Sequence, residues 1–584
     1  MGTCVRLLAA TGIALSLACT PPTGRLMVRI VDGPDGEPTP ARIELLDAEG
    51  EAHVPESALR LTLQCATAPP AAWAQGFVDA QAIDDPHTGT RQFYVDAPFT
   101  LELPAGPYSL RAFKGIERRV ARTQVQIEAG ATTSVELALE RWTDMPERGW
   151  YGADDHLHIT RLREEDDPRI SHWMQAEDLH VANLLQMGTQ AQISVTPQRA
   201  FGDAGSYREG NHLLLAGQEH PRTHFLGHTI TLGARSLVDL RDDYIVYERT
   251  FRAGRREGGV VGFAHFGRGP AQDGLAILAP RDLVDFMEVL QFEWPHYDVW
   301  YEVLGLGIPI TPTAGTDFPC GPWSLPGRER FYTRVEGHFD RESWLAGIRQ
   351  GRTFVTNGPL LELHLDEAGI GDRLDLTGPA RVHIEGSVRF DPERDAPGNV
   401  ELIRNGEPVP APTRRVGPGE IAFAVDYELR EPSWFALRVL GDKLGEAPPQ
   451  PMGIPEWLLA LGRRIANGAD IEGRDPWVMG RSHRASAAHS APIWVSVNGR
   501  LPGDPATAER WIERLDDLAA RLGEDRIADQ TLWDRVPYSD GVSEAHLRRH
   551  RPALLAAIAD ARTRWAARGG LAGDRAPADA PSPR

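Results

Sequence analysis

His156 and His158 stand two residues apart in the stretch Gly149-Trp150-Tyr151-Gly152-Ala153-Asp154-Asp155-His156-Leu157-His158-Ile159. Side chains alternate across a strand, so both imidazoles project from one face and can hold one metal ion between them. Alone, such a pair is more often a polar feature of an exposed strand. Asp154 and Asp155 shift that balance, because a carboxylate directly before an imidazole can ligate or orient it. Three apolar runs farther on end in residues of the same chemistry: Leu213 to Glu219, Gly258 to His265, and Ile308 to Asp317. His228 opens the strand after Glu219, and a hairpin turning through Pro221 and Gly227 would bring Glu219 and His228 face to face. Polar residues at the carboxyl ends of buried strands are where α/β folds place their chemistry.

Together His156, His158, Glu219, His228, His265 and Asp317 supply four imidazoles and two carboxylates. Mixed nitrogen and oxygen ligation suits Zn, Mn or Fe, and six such ligands with bridging carboxylates suffice for two divalent ions. Two ions about 4 Å apart can hold a hydroxide nucleophile, polarise the bond under attack and stabilise the leaving oxygen. That is a hydrolase site. Asp317 and Glu219 are the catalytic candidates, as groups that orient or deprotonate water. Asp154, Asp155 and Glu288 would support the ligands from behind. Arg161 and Arg268 would meet negative charge on the substrate. His172, His180, His212, His220, His224 and His296 rank below the six, since none ends a clear apolar strand.

The elements that must position these residues fall into blocks. In residues 1–19, Arg6 precedes the apolar run Leu7 to Ala18, too short to span a bilayer and suited to a secretory signal. The run ends Leu15-Ser16-Leu17-Ala18-Cys19, which resembles a bacterial lipoprotein signal with Cys19 as the lipidated residue, though Ser16 stands where that signal usually has an aliphatic residue, and simple cleavage is the alternative. The expected location is therefore outside the cytoplasm, periplasmic or in the cell envelope, with any membrane contact made through that anchor. Cys4 leaves with the signal and Cys19 would be acylated, so Cys65 and Cys320 remain and allow at most one disulfide. From 25 to 142, short strands bounded by Pro and Gly turns predict a β-sandwich, opening with Leu26–Val31 and Ala41–Leu46 paired around Gly33-Pro34-Asp35-Gly36. From 145 to 360, strands alternate with helical stretches, as in an α/β sheet or barrel. From 361 to 500, short strands return, with a turn at Asn405-Gly406, a Gly/Pro-rich insertion at 441–480 that carries a helical piece near Pro455 to Ile465, and a strand at Ala491–Val497. From 501 to 568, Asp504 caps a helix whose Trp511, Leu515, Leu518 and Leu522 mark one packing face, and a second helix runs near Ser543 to Ala567. Residues 569–584 read as a disordered tail.

In order along the chain, Asp154-x-His156-x-His158, Glu219, Gly227-His228, His265 and Gly315-Thr316-Asp317 resemble the PHP (polymerase and histidinol phosphatase) metal-dependent hydrolases. The likeness is greatest to the branch called CehA/McbA-type metallohydrolases, and Gln218, Gly358-Pro359 and His489-Ser490-Ala491-Pro492-Ile493 add to it. The resemblance implies a distorted (β/α)7 barrel, flanked here by β-sandwich domains and C-terminal helices, in a multidomain α/β plus all-β protein. It also implies a multinuclear site and carbamate or ester hydrolysis, and with it the expectation of a hydrolase acting on an ester, carbamate or phosphoester of a small-molecule substrate. The chain departs from the pattern twice: Val181-Ala182-Asn183-Leu184-Leu185-Gln186 offers no Thr-Asp-His, and Asp317 is followed by Phe318-Pro319 rather than reaching a histidine. Those departures point to one or two ions, not three.

At 584 residues the chain is too long for one ordinary core. A formal net charge of -20 argues against broad binding to nucleic acid or anionic lipid, which need clustered Lys and Arg. The reading from another class is a non-catalytic, surface-anchored binding protein that keeps a degenerate barrel between β modules. Oligomeric state does not follow from the residues.

Overall fold

The computed structural model describes residues 21–34, 36–63, 78–85, 88–188, 190, 196–223, 225–264, 271–291, 294–295, 297–319, 325–443, 485–523 and 542–571. The expected signal with Cys4 and Cys19, the pair Cys65 and Cys320, the helical piece at 455–465 and the residues beyond 571 lie outside these. So do His224, His265, Arg268 and His296. The protein is a multidomain, strand-rich chain with several sheets.

Two sheets share the N-terminal core. Thr23–Asp32 runs between Phe99–Pro104, antiparallel, and Thr132–Leu139, parallel, and alternates exposed and buried residues so that Leu26, Val28 and Ile30 turn inward. The other sheet orders Ala82–Asp84, Arg91–Val95, Ala41–Leu46, Gly106–Phe113 and Ala121–Ile127, and adds Ile43 and Leu110 to the same core. The expected hairpin between the first two strands is therefore corrected: they belong to different sheets. Gly33 N bonds Leu139 O, and Pro38 and Pro40, which lack the N–H a ladder needs, carry the chain across to the second sheet.

The middle of the chain alternates strand and helix. Trp150–Leu157, Val181–Met187 and His212–Thr223 pair in parallel; Gly227–Leu232 then runs antiparallel between His212–Thr223 and Val260–Phe263. Phe286–Gln291 and Thr311–Ala314 continue in parallel. A parallel bridge between Leu157 and Phe318 brings the last of these seven strands back beside the first. Val181–Met187 is buried at every position, as a strand covered on both faces must be. Helices Asp166–Ala176, Tyr247–Arg256, Ala271–Leu278 and Tyr297–Gly305 fill the connections.

Beyond Arg330–Arg334 and Thr353–Thr356 the same hydrogen-bonded sheet continues into Ala485–Ser490, Ser433–Lys443 and Ile493–Val497, while Leu360–Leu365, Ala380–Arg389 and Glu420–Leu429 belong to a separate sheet. Asn405 and Gly406 both take positive φ at the turn between Asn399–Arg404 and Glu407–Val409. Helix Pro505–Gly523 starts at Asp504, whose side chain accepts from Ala506 N at 3.1 Å, and helix Glu544–Arg568 starts at Ser543. Their facing stripes meet at Trp511 and Trp565, stacked 5.2 Å apart, over helix Ala271–Leu278. No described helix is long and apolar enough to cross a membrane.

Candidate metal centre

The strand Trp150–Leu157 carries Asp154, Asp155 and His156 at its carboxyl end, with His158 just beyond; all four are fully buried. Period-two geometry turns both imidazoles to one side, with their Nε2 atoms 3.1 Å apart. Glu219, on the strand His212–Thr223, which Val181–Met187 separates from Trp150–Leu157, sets Oε2 at 3.3 Å from His158 Nε2 and 3.8 Å from His156 Nε2. These three residues form a buried group able to hold a metal ion. Asp317 approaches from the loop after Thr311–Ala314 and places Oδ1 at 3.1 and 3.4 Å from the same two nitrogens. Its φ of 55° lies in the left-handed region that Asp tolerates better than most residues. Donors bound tetrahedrally to one ion at about 2 Å stand about 3.3 Å from each other, so the spacing of His156, His158 and Glu219 fits a shared cation.

His228 joins from the outer side, with Nδ1 at 2.7 Å from Glu219 Oε1. The contact does not arise as the simple cross-strand pair the hairpin suggests. Glu219 lies opposite Ile230 and His228 opposite Arg222, because the register shifts between Glu219 and Arg222. That bulge re-aims the strand so that the two side chains still meet.

The supporting carboxylates are buried behind the ligands. Glu288 Oε1 lies 2.9 Å from His156 Nδ1, a contact that would leave Nε2 free to ligate a bound ion. Asp154 accepts from the backbone N–H of His156 (3.0 Å) and of Thr316 (3.2 Å), and from Thr316 Oγ1 (2.6 Å) and Gly327 N (2.9 Å). One carboxylate thus ties the His156 strand to the loop that bears Asp317. Burial still pushes Asp154 up to about 6 against those hydrogen bonds. Burial, and then the charge of Glu288, hold the Asp155 carboxyl well above the usual range.

The electrostatics call for positive charge at the centre. Burial works against a charged His156, yet the carboxylates of Glu288 and Asp317 outweigh it and hold that imidazole well above its ordinary value. Burial likewise opposes a charged Glu219, and Arg222 with His228 overcome it and keep the carboxylate ionised. A divalent cation meets the same demand as those protons, in a pocket of donors already facing each other.

Some expectations from sequence are placed elsewhere. Arg161 is fully buried, with Nη1 3.4 Å from Asp167 Oδ1 and Nη2 donating to Gly205 O, and burial draws its pKa down to about 10. His489 is also distant in role, accepting from Tyr301 Oη and donating to Ser490 O among Tyr297 and Trp300. Of the lower-ranked histidines, His172 pairs with Asp96 and Glu209, His212 bonds Leu179 O, His180 receives Gly152 N–H, and His220 bonds Val238 O. Sequence reading missed Arg222, whose Nη1 is 3.4 Å from Glu219 Oε2 at the less buried side of the group. Its position three residues after Glu219, beyond Pro221, was the available signal. Nothing in the sequence marked Gly327 as a partner of Asp154.

No family model matches the sequence, and no curated protein matches it. Among solved structures, the minor pilin GBS52 of the gram-positive pathogen Streptococcus agalactiae is similar at 17% identity and a TM-score of 0.14. The similarity covers 21% of this chain and 46% of the pilin, so this chain spans less than half of that protein's length.

Proposed function

We propose that the chain is a metal-dependent hydrolase of the PHP type, acting on an ester, carbamate or phosphoester of a small molecule. The observation that carries this reading is the buried group His156, His158 and Glu219, with Asp317 Oδ1 3.1 and 3.4 Å from the two imidazole Nε2 atoms. The run of seven strands from Trp150 to Ala314, with the Leu157–Phe318 bridge bringing its ends together, supports a distorted barrel around that group. When bound, a Zn, Mn or Fe ion supplies Lewis acidity and lowers the pKa of water. His156, His158, Glu219 and Asp317 would hold one ion; Glu219 with His228 would contribute to a second.

The chain's own groups divide the remaining work. Asp317 and His228 keep 14% and 18% of their side chains exposed, against at most 1% for His156, His158 and Glu219, so substrate enters on their side. Asp317 at that opening accepts the proton of the attacking water. Arg222, 15% exposed, faces the same side and meets negative charge that develops on the substrate. Asp154 and Glu288 keep the ligands from turning away.

Replacing His156 and His158 together by Ala should abolish stoichiometric metal and all hydrolysis of aryl ester, carbamate and phosphoester panels. A double variant with wild-type metal content by elemental analysis would refute the ligand assignment.

A further inference from the structure

We infer that the N-terminal sheets are part of the scaffold of the metal centre, with Asp85 acting through Arg328 as a positioning residue for its ligands. The inference rests on the metal-binding reading above. Three routes lead from residues before 100 toward the ligands: two meet at Gly327, whose N–H holds Asp154, and the third ends on the residues that flank His158.

The first is electrostatic. Asp85, at the end of the strand Ala82–Asp84, sets Oδ1 3.2 Å from Arg328 Nη2, and both side chains are buried. Arg328 follows Gly327, whose N–H donates to Asp154 Oδ2 at 2.9 Å. Asp154 in turn clamps His156 N and Thr316, the residue before Asp317. A shift of Arg328 is therefore transmitted to two ligands through a single carboxylate.

The second route reaches Gly327 from its other side. Tyr94 Oη donates to Glu177 Oε1 at 2.7 Å, Glu177 O accepts from Arg330 Nη2 at 2.9 Å, and Arg330 Nε donates to Gly327 O at 2.6 Å. Gly327 has a φ of +67°, and a Cβ there would lie 2.8 Å from Leu179 and 2.9 Å from Arg330, so the backbone that feeds Asp154 has no slack.

The third route is by packing. Leu63 forms an antiparallel bridge with Ile159, the residue after His158. Tyr94 stacks on Trp173 at 3.9 Å, and Trp173 lies 6.5 Å from Phe318, whose carbonyl accepts from His158 N at 2.7 Å. Leu63, Tyr94, Leu157, Ile159, Trp173 and Phe318 belong to one buried cluster. A close-packed cluster transmits displacement, so N-terminal side chains bear on both residues flanking His158.

The test is a zinc titration of the full chain against a colorimetric chelator. Asp85→Asn keeps the volume and removes the charge; it should weaken zinc about tenfold, and Asp85→Glu should restore part of the loss. Affinity is read on folded protein, so lost stability alone does not move it. Wild-type affinity in Asp85→Asn overturns the inference and leaves the metal reading standing, whereas a wild-type chain that binds no zinc overturns both. If Asp85→Asn does not fold, hydrogen exchange on the wild-type chain decides. Coupling is reciprocal, so zinc should slow exchange at Leu61–Leu63 as well as at the ligand strands, and protection confined to the ligand strands overturns the inference.

Discussion

A Cβ on Gly315 would sit 2.4 Å from Asp155 Oδ1, 2.5 Å from His156 Cβ and 2.8 Å from Glu288 Oε1. Those three atoms belong to the buried layer behind the ligands, where none can move without turning His156. Gly315→Ala should therefore destabilise the fold by about 1–3 kcal/mol and weaken metal by about tenfold, read by urea denaturation and by metal titration; unchanged metal affinity would show that the layer yields. At this scale much of the site was legible. Two histidines at period two, and carboxylates where apolar runs stop, need only strand geometry to be read. The arginines were not legible, because a guanidinium serves equally well as a buried brace or a substrate contact. Arg161 proved to be held by Asp167, while Arg222, which follows a bulge no pattern announces, touches Glu219.

The two C-terminal helices show how an element is fixed by one face. Trp511, Leu515, Leu518 and Leu522 are buried as their helical spacing requires, and Trp565 adds a donor, with Nε1 bonding Ala276 O at 2.8 Å. Trp565→Ala removes the stacked ring and leaves that carbonyl without its indole partner. The expected cost is about 3–5 kcal/mol, seen as a lower urea midpoint; a loss under about 1 kcal/mol would mean that the helices pack only loosely. Strand partners were less legible than strand positions. The run Ala41–Leu46 was evident from its apolar residues, but its sheet was not, since Val31 and Ala41 are joined by a proline-bearing arm whose direction depends on the bond from Gly33 N to Leu139 O. Long-range pairing of that kind leaves no local trace.

Across the whole molecule, buried histidines set a pH limit on stability. Burial lowers His489 to about 3, and burial together with nearby His212 lowers His180 to about 3. The unfolded chain takes up these protons near pH 6.5, while the folded chain refuses them until about pH 3. Their contribution is thus full above about pH 6.5 and is lost as pH falls toward 3, by up to about 1.4 kcal/mol per pH unit for each group. Urea midpoints at pH 7.5 and 5 should differ accordingly, and His489→Gln, which takes up no proton in this range, should flatten the slope; equal slopes would remove His489 from the account. The alternation of strand and helix between Trp150 and Ala314 was readable from its hydrophobic periods, although the same sheet runs on past Thr356 into Ile493–Val497. The convergence of Asp85 and Arg328 was not, since neither residue carries a period at all.

The group at the centre draws on residues 156, 158, 219 and 317, so an ion there would staple together the ends of two long loops. Closing long loops restricts the unfolded chain as a cross-link does. Chelation should accordingly lower the thermal midpoint of the strands from Trp150 to Ala314 as one unit, rather than loosen the pocket alone.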